Sequence, residues 1–222
     1  MSTVGILGAG KLGTVLARLS VAAGHRTLIA GSGDPGAIGL IVDVMSPGAL
    51  AMRAVEVARQ SDIVVLAVPL SRFRTVPADQ LRGKVVIDAM NYWPSVDGPL
   101  PEFEKGVPSS VIVADALPGT RLVKAFSHLG YHQLDEDARP SAAPDRHAVA
   151  IAGDDARAVQ AGADLIDQLG FDPIAAGALA VSDRFGPGSA LFGLSADRST
   201  VEQLLAAAIV SRPFEPSGAE IA

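Results

Sequence analysis

Residues 4–13 read VGILGAGKLG. Gly8, Gly10 and Gly13 fall in a G-x-G-x-x-G spacing directly behind an apolar run. The spacing alone is a weak signal, because any tight strand-to-helix corner also uses glycine, and the flanking residues must decide its meaning. Upstream, Thr3–Leu7 is short, apolar and ends at glycine, as a buried strand does. Downstream, Leu12, Val15, Leu16, Leu19 and Ala23 recur with the period of a helix over Lys11–Ala23, and Gly24 follows where a helix stops. Arg26–Ala30 reads as a second strand. The glycines thus lie inside one βαβ unit, and in that context they read as a dinucleotide-binding turn. Gly8 would bend the chain, Gly10 would leave room for a pyrophosphate, and Gly13 would let helix and strand pack closely. The amides of the first helical turn, around Ala9, Lys11 and Leu12, would face the phosphates.

The remaining chain keeps alternating. Asp34-Pro35 reads as a helix cap with proline at the first helical position, and the helix runs to about Val44. A brief strand is expected at Arg53–Val55 and a short helix at Glu56–Gln60. Ile63–Val68 (IVVLAV) is the β-branched run of a strand buried on both faces, closed by Pro69. Ser71–Leu81 suggests two helical turns interrupted at Pro77, and Lys84–Asp88 another buried strand. Asn91–Ser110, rich in proline, serine and glycine, reads as a long surface loop. Strands are expected at Leu122–Phe126, Ala148–Ala152 and Asp172–Ala176. Helices are expected at Asp154–Leu169 and near Thr200–Val210, the latter with a Thr-x-x-Gln cap. This alternation argues for an α/β, doubly wound, mostly parallel sheet with a small C-terminal extension.

Composition excludes several chemistries. The 222 residues are 49% hydrophobic, enough for a full core, yet no apolar run reaches membrane-spanning length. With no cysteine there is no disulfide, thiolate nucleophile or cysteine-held zinc. The four histidines are scattered, so no metal site is expected. The net charge of −6, without a basic block, argues against a nucleic-acid surface. The N-terminus lacks a basic region ahead of an apolar stretch, so a cytoplasmic protein without a signal peptide is expected.

The end of the second strand selects the dinucleotide. NAD enzymes usually place a carboxylate there, but here the chain reads Ala30-Gly31-Ser32-Gly33, and Asp34 is occupied as a cap. Gly31 and Ser32 leave space for a 2′-phosphate, which favours NADP(H). An arginine at position 33 would have completed the site; Lys11 or Arg53 could supply its charge instead.

VGILGAGKLG, IAGSGDP, IVVLAVP, VVIDAMNYW, LVKAFSHLGYH, VAIAGDD and LGFDP, in this order, resemble the NADP oxidoreductase, coenzyme F420-dependent family. The resemblance spans nearly the whole chain, and its later segments are more specific than the glycine motif. It implies a Rossmann-type protein passing hydride between NADPH and a flat small-molecule acceptor, deazaflavin coenzyme F420 or a flavin. Residues 1–115 would form the NADP-binding domain and residues 116–222 a smaller α/β lobe closing the acceptor cleft, the two being compatible with one continuous domain. A homodimer is expected, with no nucleic-acid or membrane partner. Two departures stand out: the basic residue after Ser32 is missing, and Ser127 stands where this subgroup often has asparagine.

Candidate site residues follow from strand ends. Ala67, Val68 and Pro69 close the fourth long strand beside the expected dinucleotide path. Asn91 could hold the nicotinamide end or simply turn its loop. Ser127 and His128 would face the acceptor from the opposite wall. Tyr92 and Trp93 could wall a flat ring or belong to a core or interface. Arg72, Arg74 and Lys124 are the cations available to a charged acceptor tail. No nucleophile elbow or strong acid–base pair is present, and no catalytic residue is assigned. Hydride transfer between two cofactors demands none. Two alternatives stay open: a non-catalytic NADP-binding redox sensor, and a reductase of another small acceptor. A β-hydroxyacid or imine-type reductase fits less well, because the second half keeps producing strands.

Overall fold

The computed structural model describes residues 1–208. Eight strands form one sheet: β1 (Thr3–Leu7), β2 (Arg26–Ala30), β3 (Leu50–Ala51), β4 (Ile63–Leu66), β5 (Val85–Asp88), β6 (Arg121–Lys124), β7 (Ala148–Gly153) and β8 (Asp172–Gly177). Their spatial order is β3-β2-β1-β4-β5-β6-β7-β8. Every neighbouring pair is parallel except β6 and β7, where Val123 and Lys124 face Gly153 and Ala152 in antiparallel register. The sheet is therefore a doubly wound α/β sheet of Rossmann type, extended by two strands running the other way. It passes without interruption from the first half of the chain into the second.

The strands read as apolar runs because both faces are covered. Alternate residues point to opposite sides: Ile6, Ile29, Val65, Ile87 and Val123 join one cluster, while Leu7, Leu28, Val64, Leu66 and Val86 join another. Helix α1 (Lys11–Ala22) lies on the first face, with Val15 and Leu16 buried in that layer. Helices α2 (Gly39–Met45), α3 (Ala54–Gln60), α4 (Ala78–Leu81), α5 (Pro94–Asp97), α6 (Ser109–Ala116) and α7 (Tyr131–Glu136) follow in order. Of these, α3 and α6 cover the second face through Val57 and Val113. Helix α8 (Ala156–Gln168) returns to the first face through Leu165 and Ile166. Helix α9 (Arg198–Ala207) packs Val201 and Leu205 against Ala148 and Ala150. Each fully buried side chain of this size contributes about 1.5–3 kcal/mol relative to exposure.

Several elements differ from the sequence reading. The strand expected at Arg53–Val55 lies earlier, at Leu50–Ala51, and Ala54 already begins α3. The Glu56 carboxylate accepts from the Arg53 amide at 3.3 Å, closing the helix start over residues that look strand-like. The 91–110 loop contains the turn of α5 and the start of α6, and α7 forms where the sequence carries no helix signal. Helix α9 starts at Arg198 and is capped by Asp197, whose side chain accepts from the Thr200 amide at 2.9 Å, so Thr200 is inside the helix. The expected extension of that helix to Val210 lies outside the described residues. Asp34 does cap its segment, accepting from the Gly36 amide at 2.9 Å, but the first turn is a 3₁₀ turn (Pro35–Ala37) ahead of α2.

Candidate functional site

The strand order reverses at β1, whose neighbours β2 and β4 send their following segments to opposite faces. A crevice opens at such a switch point outside the carboxyl ends of the strands. Here it is a cleft of about 650 Å³.

The three motif glycines have different reasons to be glycine. Gly8 sits at φ +125°, and a Cβ there would stand 2.2 Å from the Ala67 carbonyl oxygen. Its amide donates to the Ala30 carbonyl at 2.8 Å, fixing the turn against β2. A Cβ on Gly13 would stand 1.8 Å from the Gly8 carbonyl oxygen, so the close approach of α1 to the turn needs hydrogen there. Gly10 is another matter. Its φ of −84° suits any residue, and a Cβ would meet no protein atom within 4 Å. Nothing in the protein's own packing asks for glycine at position 10. The space lies in the cleft, at the N-terminus of α1, where no side chain caps the first turn and no acidic residue occupies it. Unpaired amides and the positive end of a helix facing an open cradle are suited to a diphosphate.

Gly8, Ala9 and Gly10 line the cleft, as do Gly31 and Ser32 after β2 and Ala67, Val68 and Pro69 after β4. Lys11 and Leu12 do not reach its walls. The Lys11 ammonium lies 5.1 Å from the centroid of the Tyr131 ring, and Leu12 packs against the core. Arg53 is also engaged, its guanidinium 2.9 Å from the Asp34 carboxylate. The sequence reading placed Arg72 near an acceptor tail, whereas the structure puts it on the wall of this cleft together with Thr75. Both belong to a 3₁₀ turn, Leu70–Thr75, that no local sequence signal separates from an ordinary helix. Arg74 pairs instead with Glu102 at 3.0 Å.

The residues expected at the acceptor wall form a buried layer. Asn91 donates its side-chain amide to the Ser127 carbonyl at 2.7 Å, which ties the loop after β5 to the loop after β6. Ser127 is 2% exposed and its hydroxyl has no partner. His128 is 0% exposed. Its ring meets Phe185 edge to face at 6.0 Å, and Nε2 accepts from the Ala150 amide of β7 at 3.0 Å. Burial pushes the imidazole down to about 4, so it is neutral at pH 7. With Nε2 accepting, the proton is on Nδ1, which faces the Leu191 backbone without completing a hydrogen bond. A histidine held this way joins β7 to the loop after β6 and presents no surface to a ligand. The sequence reading has this ring on an acceptor wall; in the structure it lies in the core.

Lys124 is likewise withdrawn from any acceptor tail. It is 2% exposed, lies 3.3 Å from the Asp88 carboxylate and also donates to the Met90 carbonyl. Asp88 accepts from the Ser110 hydroxyl at 2.7 Å and from the Met90 amide at 2.9 Å. These bonds satisfy the buried pair and anchor the Ala89–Asn91 segment at the carboxyl end of β5. Burial raises the Asp183 carboxyl above its ordinary range, an effect opposed by the nearby Lys124. Tyr92 and Trp93 pack on Phe103 and Phe192, at 5.6 and 5.5 Å. Among the described residues no cluster of side chains could hold a metal ion, and no helix is long and apolar enough to cross a membrane.

Residues 3–92 match the family model described as NADP oxidoreductase, coenzyme F420-dependent. Among solved structures, the hypothetical protein SMa0349 from Sinorhizobium meliloti is similar with a TM-score of 0.75 and 30% identity, over 89% of this chain and 96% of that one. A proposed F420-dependent NADP-reductase from Arthrobacter sp. FB24 follows, with a TM-score of 0.70 and 22% identity over 89% and 100% of the two chains. An imine reductase from Myxococcus stipitatus in complex with NAD+ shares the fold at 17% identity and a TM-score of 0.59, over 95% of this chain and 63% of its own. No curated protein matches the chain.

Proposed function

The chain belongs to the NADP oxidoreductase, coenzyme F420-dependent family, and from that premise we propose that it passes a hydride between NADP(H) and a flat redox acceptor, deazaflavin coenzyme F420 or a flavin. At the coarser level it is an NAD(P)-dependent oxidoreductase. The observation that supports the reading best is the cradle at Gly10, where open space, the uncapped start of α1 and the cleft coincide. NADPH, when bound, supplies the hydride, so the protein's work is to bind, orient and exclude water.

The residues divide that work. The amides at the start of α1 hold the diphosphate, and Gly8 and Gly13 shape the turn that presents them. Ser32 stands at the ribose side with no carboxylate among the residues lining the cleft to repel a 2′-phosphate. Val68 and Pro69 give an apolar wall. The Asn91–Ser127 bond and the Lys124–Met90 bond fix the two loops that leave the same sheet edge further along. Rigid loops at that edge favour hydride transfer, which depends on orientation.

A second reading, an NADP-binding redox sensor, is favoured by the burial of Ser127 and His128, which withdraws both side chains from an acceptor. One panel decides between them. NADPH and NADH are assayed with deazaflavin, FMN, FAD and ferric acceptors. Acceptor-dependent bleaching of NADPH supports the reductase. Tight NADPH binding without oxidation supports the sensor. Absence of binding overturns both.

A further inference from the structure

The cleft poses a charge problem. A 2′-phosphate needs a cation, and the position after Ser32, where an arginine would stand, is Gly33. Four exposed cationic side chains line the cleft or lie next in sequence to residues that do. Lys11 lies over the Tyr131 ring, Arg53 is paired with Asp34, and Arg74 is paired with Glu102. Arg72 makes no ion pair among the described residues, and it is the one charged residue among those lining the cleft. The cleft is otherwise apolar or backbone, through residues such as Ile38, Val68, Pro69 and Val76. Its only other polar side chains are Ser32 and Thr75. The turn that carries Arg72 is fixed locally: the Arg72 amide donates to the Pro69 carbonyl at 2.8 Å, and the Thr75 hydroxyl donates to the Arg72 carbonyl at 2.8 Å.

We propose that Arg72, presented by the turn after β4, is the specificity-determining residue that recognises the 2′-phosphate of NADP(H) in place of the arginine missing after Ser32. A guanidinium in an apolar cleft with no carboxylate partner among the described residues is a ready site for a phosphate dianion, which it binds through a fork of donors. Ser32 adds a hydroxyl donor from the opposite strand end. Asp34 does not interfere with Arg72, because its carboxylate is shared between the Gly36 amide and Arg53.

The inference rests on NADP(H) as the ligand, so its test uses probes that isolate the phosphate. Binding of 2′,5′-ADP and of 5′-AMP is measured by calorimetry on the full chain and on Arg72→Ala, Arg72→Lys and Arg53→Ala. The expected result is a loss of about ten-fold or more in 2′,5′-ADP affinity for Arg72→Ala, with 5′-AMP changed by less than about two-fold. Arg72→Lys should recover part of the loss and keep a steeper salt dependence than Arg72→Ala. Arg53→Ala should leave both affinities near those of the native protein. Equal weakening of both probes by Arg72→Ala would show that the arginine stacks on the adenine or supports the turn, and would overturn the assignment. A selective loss in Arg53→Ala alone would overturn it too. If the native chain binds neither 2′,5′-ADP nor NADPH, the NADP reading itself falls and the assignment with it.

Discussion

The side-chain amide of Asn91 stands 2.7 Å from the carbonyl oxygen of Ser127, so the loops after β5 and β6 are held as one unit at the sheet edge. Asn91→Ala removes the donor and leaves a buried carbonyl unpaired. We expect a stability loss of about 1 kcal/mol, read by urea denaturation. We also expect a lower rate with acceptor and NADPH affinity within about two-fold of the native value, because the bond lies away from the Gly10 cradle. Unchanged stability would show that the tie is not formed in solution.

Gly10 and Gly13 should separate binding from folding. Gly10→Val fills empty space and should abolish dinucleotide binding while costing about 1 kcal/mol of stability at the helix start. Gly13→Ala drives a methyl into the Gly8 carbonyl and should destabilise by about 3 kcal/mol. Titration of NADPH against each variant, with thermal melts alongside, checks the pair. Full NADPH affinity in folded Gly10→Val would remove the role assigned to this turn.

Gly33→Arg should widen the preference for NADPH over NADH by adding a second cation at the ribose. The side chain has room, since a Cβ there meets nothing within 4 Å, but the backbone is at φ +101°. A left-handed arginine costs about 1–2 kcal/mol, so the gain in selectivity should come with a lower melting temperature. Affinity ratios for the two coenzymes measure the first effect, and calorimetric melting the second.

His128 should make stability pH-dependent. Its folded pKa, about 4, lies below its ordinary value of 6.5, so the unfolded chain binds the proton more readily. The contribution is complete above pH 6.5 and is lost as pH falls towards 4, by about 1.4 kcal/mol per unit. His128→Gln lacks this titration, so its stability should vary less than the native protein's between pH 7 and pH 5. Parallel urea curves for the two proteins at both values test this; identical pH dependence would place the imidazole in water. The same variant should leave NADPH affinity unchanged.

Legibility followed physics. β4 and β5 were readable because a strand buried on both faces must be apolar throughout, as IVVL and VVID nearly are. The glycine turn was readable because its flanks show both periods, strand then helix. Helix α6 was not, since SSVIVADA holds a β-branched run that suits either element and no periodicity separates them. Helix α7 has six residues and one buried side chain, Leu134, too little for a pattern. The depth of His128 depends on Phe185 and Ala150, which arrive from distant segments, and nothing beside the histidine announces them. Arg72 was visible as a cation at a strand end, but its side of the sheet edge was set by a 3₁₀ turn.

The reversal between β6 and β7 has a practical consequence. β7 and β8, which run against the other strands, extend the sheet past β6, so Gly177 closes an edge strand that stands five positions away from β1 and its cleft. A fluorophore, affinity handle or surface tether attached there would be separated from the coenzyme cradle by five strand spacings across the sheet, about 24 Å. It offers an attachment point for watching ligand uptake without crowding the entrance.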